Sequence, residues 1–75
     1  MTRNDFLIEL QEIMQLDDPI AEDADLRDYE EWDSLAFMVL ITFFDKNFGQ
    51  RITFEDLAVC ETPLDIMELS KGAIS

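Results

Sequence analysis

The tripeptide Asp33-Ser34-Leu35 is the part of the sequence whose residue types and position are best suited to chemistry. It lies between a long acidic stretch and an apolar helical pattern, so Ser34 presents its hydroxyl at the start of a predicted helix. The unpaired N–H groups and positive dipole end of a helix N-terminus favour a negatively charged group at this place. Serine and aspartate are also preferred N-cap residues. The tripeptide alone therefore leaves a modification site and a simple helix cap both open, and the two are compatible.

Other reactive groups are scarce. The chain has no histidine and one cysteine, Cys60. The absence of histidine disfavours triad chemistry and most metal catalysis. Cys60 has no partner for an intramolecular disulfide and is interpreted as a small apolar residue at or near the core. Arg27 stands where a calcium loop of the EF-hand type needs a ligand, and the turn glycine is missing, which disfavours a calcium site. An autonomous enzyme thus has little support.

Length and charge restrict the remaining classes. A chain of 75 residues, 48% of them hydrophobic, predicts one small folded domain over residues 1–75 without a second core. The formal charge of −13 disfavours nucleic acid and anionic membranes and predicts partners with basic patches. No positively charged start followed by an apolar run appears at the N-terminus, and no apolar run has transmembrane length, so we expect a cytoplasmic protein.

Apolar periodicity predicts an all-α architecture, a small helical bundle without strands. The predicted segments are a helix over residues 3–15, a loop over 16–33, a helix over 34–48, a short helix over 53–58 and a helix over 63–71. Gly49 is expected to end the second long helix. Thr62, Pro63 and Asp65 carry the start signals of the last helix, and Gly72 is its expected terminator.

The layout of these segments resembles that of the acyl carrier proteins, whose signature is a serine in Asp-Ser-Leu at the start of the second helix. The resemblance covers essentially the whole chain. It implies that a phosphopantetheinyl transferase joins phosphopantetheine to the Ser34 hydroxyl, so that the reactive thiol belongs to the cofactor. It also implies that Asp33 helps to position the metal and cofactor substrate of the modifying enzyme, and that Leu35 contacts partners. Further partners would be an acyl- or aminoacyl-activating loading enzyme and a downstream transferase.

The second helix departs from the fatty-acid carrier pattern, which follows Asp-Ser-Leu with acidic docking residues. Here no acid occurs between Leu35 and Asp45. A helical wheel with a buried stripe of Phe37, Leu40, Ile41, Phe44 and Phe48 places five residues on the opposite face as a candidate docking surface: Leu35, Val39, Thr42, Phe43 and Lys46. The pattern favours a dedicated pathway over general fatty-acid synthesis, and we expect a monomer, although the apolar strip is compatible with weak pairing of two copies.

The first loop concentrates acidic charge instead. Between residues 17 and 33 only Arg27 opposes the acids Asp17, Asp18, Glu22, Asp23, Asp25, Asp28, Glu30, Glu31 and Asp33. This stretch is either a solvated loop or a docking patch for a basic partner. A small helical interaction module that uses this loop and is never modified is the alternative from another class. A peptidyl carrier is a closer rival, but Glu30-Glu31-Trp32 stands where that group often has two glycines.

Overall fold

The computed structural model describes residues 1–75 and contains four α-helices and one 3₁₀ turn, without strands. The helices are α1 (Arg3–Met14), α2 (Ser34–Phe48), α3 (Phe54–Ala58) and α4 (Pro63–Leu69), and the 3₁₀ turn is Leu26–Asp28. This confirms the predicted all-α architecture of three main helices and one short helix. None of the helices is long and apolar enough to cross a bilayer.

Local side-chain caps explain where the helices begin. The hydroxyls of Thr2, Thr53 and Thr62 each accept a hydrogen bond from an N–H three residues on. At Thr53 and Thr62 the aspartate at the third helical position accepts a bond from the N-cap N–H, which completes a capping box. Gly49 ends α2 with a φ of 63°, the left-handed conformation that glycine adopts without steric penalty.

Two helices end earlier than the sequence predicts. Helix α1 stops at Met14 because Gln15 has a φ of 57° and caps it in the left-handed region. Helix α4 stops at Leu69 rather than residue 71. The buried Ser70 hydroxyl donates to the Met67 carbonyl at 2.6 Å and accepts from the Ile74 N–H at 3.0 Å, and the chain then turns left-handed at Lys71 before it reaches Gly72.

The helices bury one hydrophobic cluster. Helix α1 packs against α2 and α4, and α2 also packs against α3. The fully covered side chains at the centre are Phe6, Leu10, Leu26, Leu40, Phe44, Leu57 and Ile66. Burial of such side chains contributes about 1.5–3 kcal/mol each relative to exposure, which makes this cluster the main source of stability.

The buried stripe of α2 agrees with the helical-wheel prediction at Leu40 and Phe44, and the other three predicted residues are half-buried and pack against the core: Phe37, Ile41 and Phe48. It differs at Ala36, which is also buried, and at Phe43, which is half-buried although the wheel places it on the opposite face. The helix is rotated towards Ala36 because the Phe6 ring of α1 packs against Phe43 and Phe44, with ring centroids 6.1 and 6.4 Å apart. Phe43 therefore lies beside the core rather than on the outward face.

The loop between α1 and α2 is held by backbone hydrogen bonds to the region around α4. The Leu26 N–H donates to the Glu61 carbonyl at 2.8 Å, and the Leu64 N–H donates to the Glu22 carbonyl at 3.1 Å. Leu26 is fully buried and Trp32 packs on the core, so both side chains anchor this loop. The 3₁₀ turn at Leu26–Asp28 lies inside the loop that the sequence predicts over residues 16–33.

Candidate functional site

Ser34 is the first residue of α2 and is exposed to solvent. Its hydroxyl makes no hydrogen bond within the protein, and the N–H groups of Ser34 and Leu35 are also free of protein acceptors. The site thus offers an accessible oxygen beside two unpaired amides at the positive end of a helix of 15 residues. A phosphate group attached to this oxygen would lie at the positive end of the helix dipole, which favours its negative charge.

Asp33, and not Ser34, caps α2. The Asp33 backbone is extended and its Oδ1 accepts a hydrogen bond from the Ala36 N–H at 3.1 Å. The capping task that sequence reasoning left open between the two residues therefore falls to Asp33. The Ser34 hydroxyl is left available for another purpose.

The outward face of α2 is apolar next to Ser34. Leu35 is 65% exposed, Met38 57% and Val39 41%, and Thr42 and Lys46 follow on the same side. Of the five residues on the candidate docking surface, Leu35, Val39, Thr42 and Lys46 are exposed and Phe43 is half-buried. Sequence reasoning missed Met38, although its spacing from Leu35 and Thr42 by three and four residues is the signal for a shared helical face.

Aromatic rings fill the side of α2 that faces α3. The Trp32 and Phe37 rings have centroids 4.7 Å apart, and the Phe37 and Phe54 rings meet edge to face at 5.7 Å. Trp32 and Phe37 lie within one helical turn of Ser34, so this cluster borders the start of α2. Such packed aromatic pairs stabilise by about 0.5–1.5 kcal/mol beyond their burial.

An open groove lies on the other side of α2, between its first turns and the end of α1. The groove has a volume of about 350 Å³. Its lining includes Asp33 and Leu35, the two residues that flank Ser34, together with Ile13, Met14, Gln15, Glu31, Ala36 and Val39. Nothing in the sequence pattern predicts this groove, because it depends on how α1 and α2 pack.

The acidic loop has one internal ion pair. The Arg27 Nε and Nη2 atoms donate to both carboxylate oxygens of Asp25 at 2.9 and 3.0 Å. The hydrogen bonds from Arg27 lower the pKa of Asp25 below its ordinary value. Glu30, Glu31 and Asp33 next to Ser34 are all exposed and form no ion pair, so the approach to the hydroxyl is negatively charged.

Cys60 is buried between α3 and α4, as the sequence predicts. Its thiol donates to the Asp56 carbonyl at 3.3 Å. Burial, and after it the nearby carboxylates of Asp65, Asp56 and Glu68, raise the pKa of this thiol to about 11. A thiol with this pKa is a poor nucleophile at neutral pH.

These features define a small helical carrier domain with an exposed serine at a helix start, and comparison with known families agrees. The family model described as the phosphopantetheine attachment site matches residues 6–69. The chain belongs to this family of acyl carrier protein-type domains, which bear phosphopantetheine covalently on a serine and interact with modifying and acyl-handling enzymes. No curated protein and no solved structure matches the chain.

The chain fits the cofactor that its family requires. Phosphopantetheine, when bound, supplies a terminal thiol that holds cargo as a thioester. Within the matched range 6–69 the sequence contains one serine, Ser34, and the structure leaves its hydroxyl exposed with free amides beside it. The other serines are Ser70, which is fully buried and hydrogen-bonded, and Ser75 at the C-terminus.

Proposed function

We propose that Ser34 is the attachment point of phosphopantetheine and that the protein carries a thioester-bound acyl or other small-acid cargo between enzymes. The observation that carries this proposal is the combination of one serine in the family-matched range with a free, exposed hydroxyl at the start of α2. Modification would join the Ser34 oxygen to the phosphorus of the phosphopantetheine part of coenzyme A. The pyrophosphate bond of coenzyme A breaks, adenosine 3′,5′-bisphosphate leaves as the second product, and the modifying enzyme accepts the proton of the serine hydroxyl.

The carrier itself has no catalytic task in this proposal. Carrier domains of this family are typically non-catalytic. Asp33 contributes a carboxylate next to the hydroxyl: Oδ1 caps α2, and the second oxygen makes no bond within the protein, so it is free to contact the metal of a phosphopantetheinyl transferase. Loading would fall to an acyl- or aminoacyl-activating enzyme and unloading to a downstream transferase, in the cytoplasm.

We infer that partners dock on the exposed side of α2. The docking strip comprises Leu35, Met38, Val39, Thr42 and Lys46, with Phe43 at its inner edge. It contains no acid, while acids crowd the loop that leads into Ser34. A partner that fits this surface combines an apolar contact for α2 with basic side chains around the loop. This demand for an apolar contact supports a dedicated pathway rather than general fatty-acid synthesis.

Intact mass spectrometry after incubation with coenzyme A and a promiscuous phosphopantetheinyl transferase tests the proposal. The wild-type protein and the Ser75→Ala variant are expected to gain one phosphopantetheine, and the Ser34→Ala variant none. Ser75 is the matched control because it is also exposed. A wild-type protein that gains no mass would support the unmodified interaction module instead.

A further inference from the structure

The four methionines of the chain differ in their exposure to solvent. Met14 and Met67 belong to the hydrophobic core and are 2% and 5% exposed. Met38 is 57% exposed and Met1 42%. Exposure determines which thioethers an oxidant in solution can reach, since a buried sulfur reacts only when the chain opens locally. Met38 and Met1 are therefore the methionines that are open to oxidation in the folded protein.

Met38 lies on the same face of α2 as Ser34. The two residues are four positions apart in the helix, so they are neighbours one turn apart on one side of it. A methionine side chain in a helix points back towards the N-terminus, which directs the Met38 thioether towards the turn that holds Ser34. Leu35, three positions before Met38, is 65% exposed on the same strip. An enzyme that reaches the Ser34 hydroxyl along this face therefore covers the Met38 thioether.

The Met38 side chain contributes little to the packing of the fold. It lies outside the buried core cluster and is not among the half-buried side chains that pack against this cluster. The Met38 carbonyl accepts a hydrogen bond from the Thr42 hydroxyl at 3.2 Å, and this contact involves no atom of the thioether. A chemical change at the sulfur therefore alters the surface of α2 and leaves the core intact.

The cysteine of the chain does not compete with Met38 for an oxidant. Thiolate character and exposure determine how fast a cysteine is oxidised. Cys60 is buried, and its raised pKa keeps the thiol protonated at neutral pH. Before an arm is attached, Met38 is thus the accessible sulfur of the docking strip.

We propose that Met38 is a reversible oxidation site, at which hydrogen peroxide converts the thioether to a sulfoxide and thereby weakens the docking of enzymes on α2. This rests on the proposed attachment at Ser34 and on docking along the strip. One oxygen atom of the peroxide is transferred to the sulfur, which is oxidised, and the peroxide is reduced to water. A methionine sulfoxide reductase restores the thioether: the oxygen leaves as water while two thiols are oxidised to a disulfide.

The polarity of the sulfoxide is the reason for the weaker docking. Its oxygen is a hydrogen-bond acceptor that water satisfies while Met38 is exposed. A partner with an apolar contact surface would remove this water and offer no donor in its place. A buried acceptor without a partner disfavours the complex, whereas the thioether of the reduced protein buries without such a cost.

Peptide mapping of the unmodified protein after brief treatment with hydrogen peroxide tests the site. Trypsin leaves each methionine on a peptide of its own, namely 1–3, 4–27, 28–46 and 52–71. We expect the peptides of the two exposed methionines to gain one oxygen about tenfold faster than those of the two buried ones. In the chain unfolded in guanidinium the four rates should be alike. An oxygen placed on Trp32 instead of Met38, or a Met38 that reacts as slowly as Met14, overturns the proposal.

The rate of modification tests the effect on docking. The oxidised protein is freed of peroxide with catalase and incubated with coenzyme A and a promiscuous phosphopantetheinyl transferase. We expect kcat/KM to fall about tenfold relative to the reduced protein, which lies within the cost of one unsatisfied buried acceptor. The rate should return after treatment with the two methionine sulfoxide reductases that act on the two sulfoxide epimers. The Met38→Leu variant is compared with itself: its rates before and after peroxide should be equal, although its Met1 is still oxidised.

The outcomes separate this proposal from the proposed attachment. Equal rates for the oxidised and reduced wild-type proteins, a loss that the reductases do not reverse, or the same loss in Met38→Leu overturns the oxidation site alone. Thermal unfolding followed by circular dichroism should give the same Tm for both forms, because Met38 lies outside the core. A lower Tm after oxidation of Met38 would assign the loss of rate to unfolding and contradict the proposal. A reduced wild-type protein that gains no mass overturns both proposals.

Discussion

At the residue scale, the thiol of Cys60 is much less reactive than the free thiol of a phosphopantetheine arm would be. Burial and three neighbouring carboxylates raise the pKa of Cys60 to about 11, so only about one thiol in a thousand is ionised at pH 8. Because the thiolate is the nucleophile, Cys60 is poorly suited to attack a thioester cargo at this pH. We expect the unmodified protein to react with iodoacetamide far more slowly at pH 8 than the chain unfolded in guanidinium does.

The same pKa shift links Cys60 to stability. The folded protein holds the thiol proton more tightly than the unfolded chain, so this contribution is complete below about pH 8.5 and is lost as the pH rises through about 11. Between pH 8 and 11, the unfolding free energy of the wild-type protein should fall as the Cys60 contribution is lost. The Cys60→Ala variant should lack this part of the fall. Urea denaturation at several pH values in this range measures the difference. In the iodoacetamide experiment, rapid alkylation of the folded protein at pH 8 would contradict the raised pKa of Cys60.

Asp33 has two tasks that two substitutions can separate. Asp33→Ala removes the acceptor for the Ala36 N–H, and loss of an N-cap destabilises by about 1 kcal/mol. For a domain of this size that lowers Tm by roughly 4–8 °C. Asp33→Asn keeps a capping oxygen, so its Tm should stay near that of the wild type, measured by circular dichroism. If the carboxylate positions the transferase metal, both variants should be modified slowly. Wild-type modification rates for Asp33→Asn would restrict Asp33 to capping.

At the element scale, the apolar face of α2 is the expected contact for enzymes. Leu35→Glu and Met38→Glu each replace an exposed apolar side chain on this strip. We expect kcat/KM for modification by the transferase to fall about tenfold, equivalent to about 1.4 kcal/mol of lost contact energy. Val59→Glu is the control because Val59 is 77% exposed and follows α3 rather than α2. An equal loss in the control would point to charge rather than to docking on α2.

The sequence predicts those elements best whose limits depend on local chemistry. Thr62, Pro63 and Asp65 define the start of α4 within four residues, and Gly49 supplies the left-handed end of α2. The rotation of α2 was missed because Ala36 gives no strong apolar signal and its burial depends on α1. The 3₁₀ turn at Leu26–Asp28 was missed for a similar reason, since it is held by a hydrogen bond to distant Glu61.

The candidate site was also predictable only where it depends on residues that are neighbours in the sequence. Asp33, Ser34 and Leu35 are contiguous, so their motif and helical context were readable from the chain itself. The groove depends on Ile13 and Gln15 of the α1 region lying beside α2, which no short-range pattern records. The free state of the Ser34 hydroxyl also needed the structure, because either Asp33 or Ser34 was chemically able to cap the helix.

At the scale of the whole molecule, charge governs encounter. With a net charge of −13, association with a basic partner is accelerated by long-range attraction that salt screens over about 10 Å at 0.1 M. We expect kcat/KM for modification to fall at least tenfold between low and high salt. The Glu30→Gln/Glu31→Gln variant should show a weaker salt dependence than Glu12→Gln/Glu55→Gln, which removes the same charge elsewhere. Equal salt slopes would mean that net charge, and not the loop, steers the partner.

The central claim, that Ser34 carries the arm, is tested most directly by peptide mapping of the modified wild-type protein. Trypsin cleaves after Arg27 and Lys46, and the peptide 28–46 between them contains one serine, Ser34, and one threonine, Thr42. Fragmentation of this peptide is expected to place the whole mass of phosphopantetheine on Ser34. The added mass on Thr42, on another peptide, or on none would contradict the account.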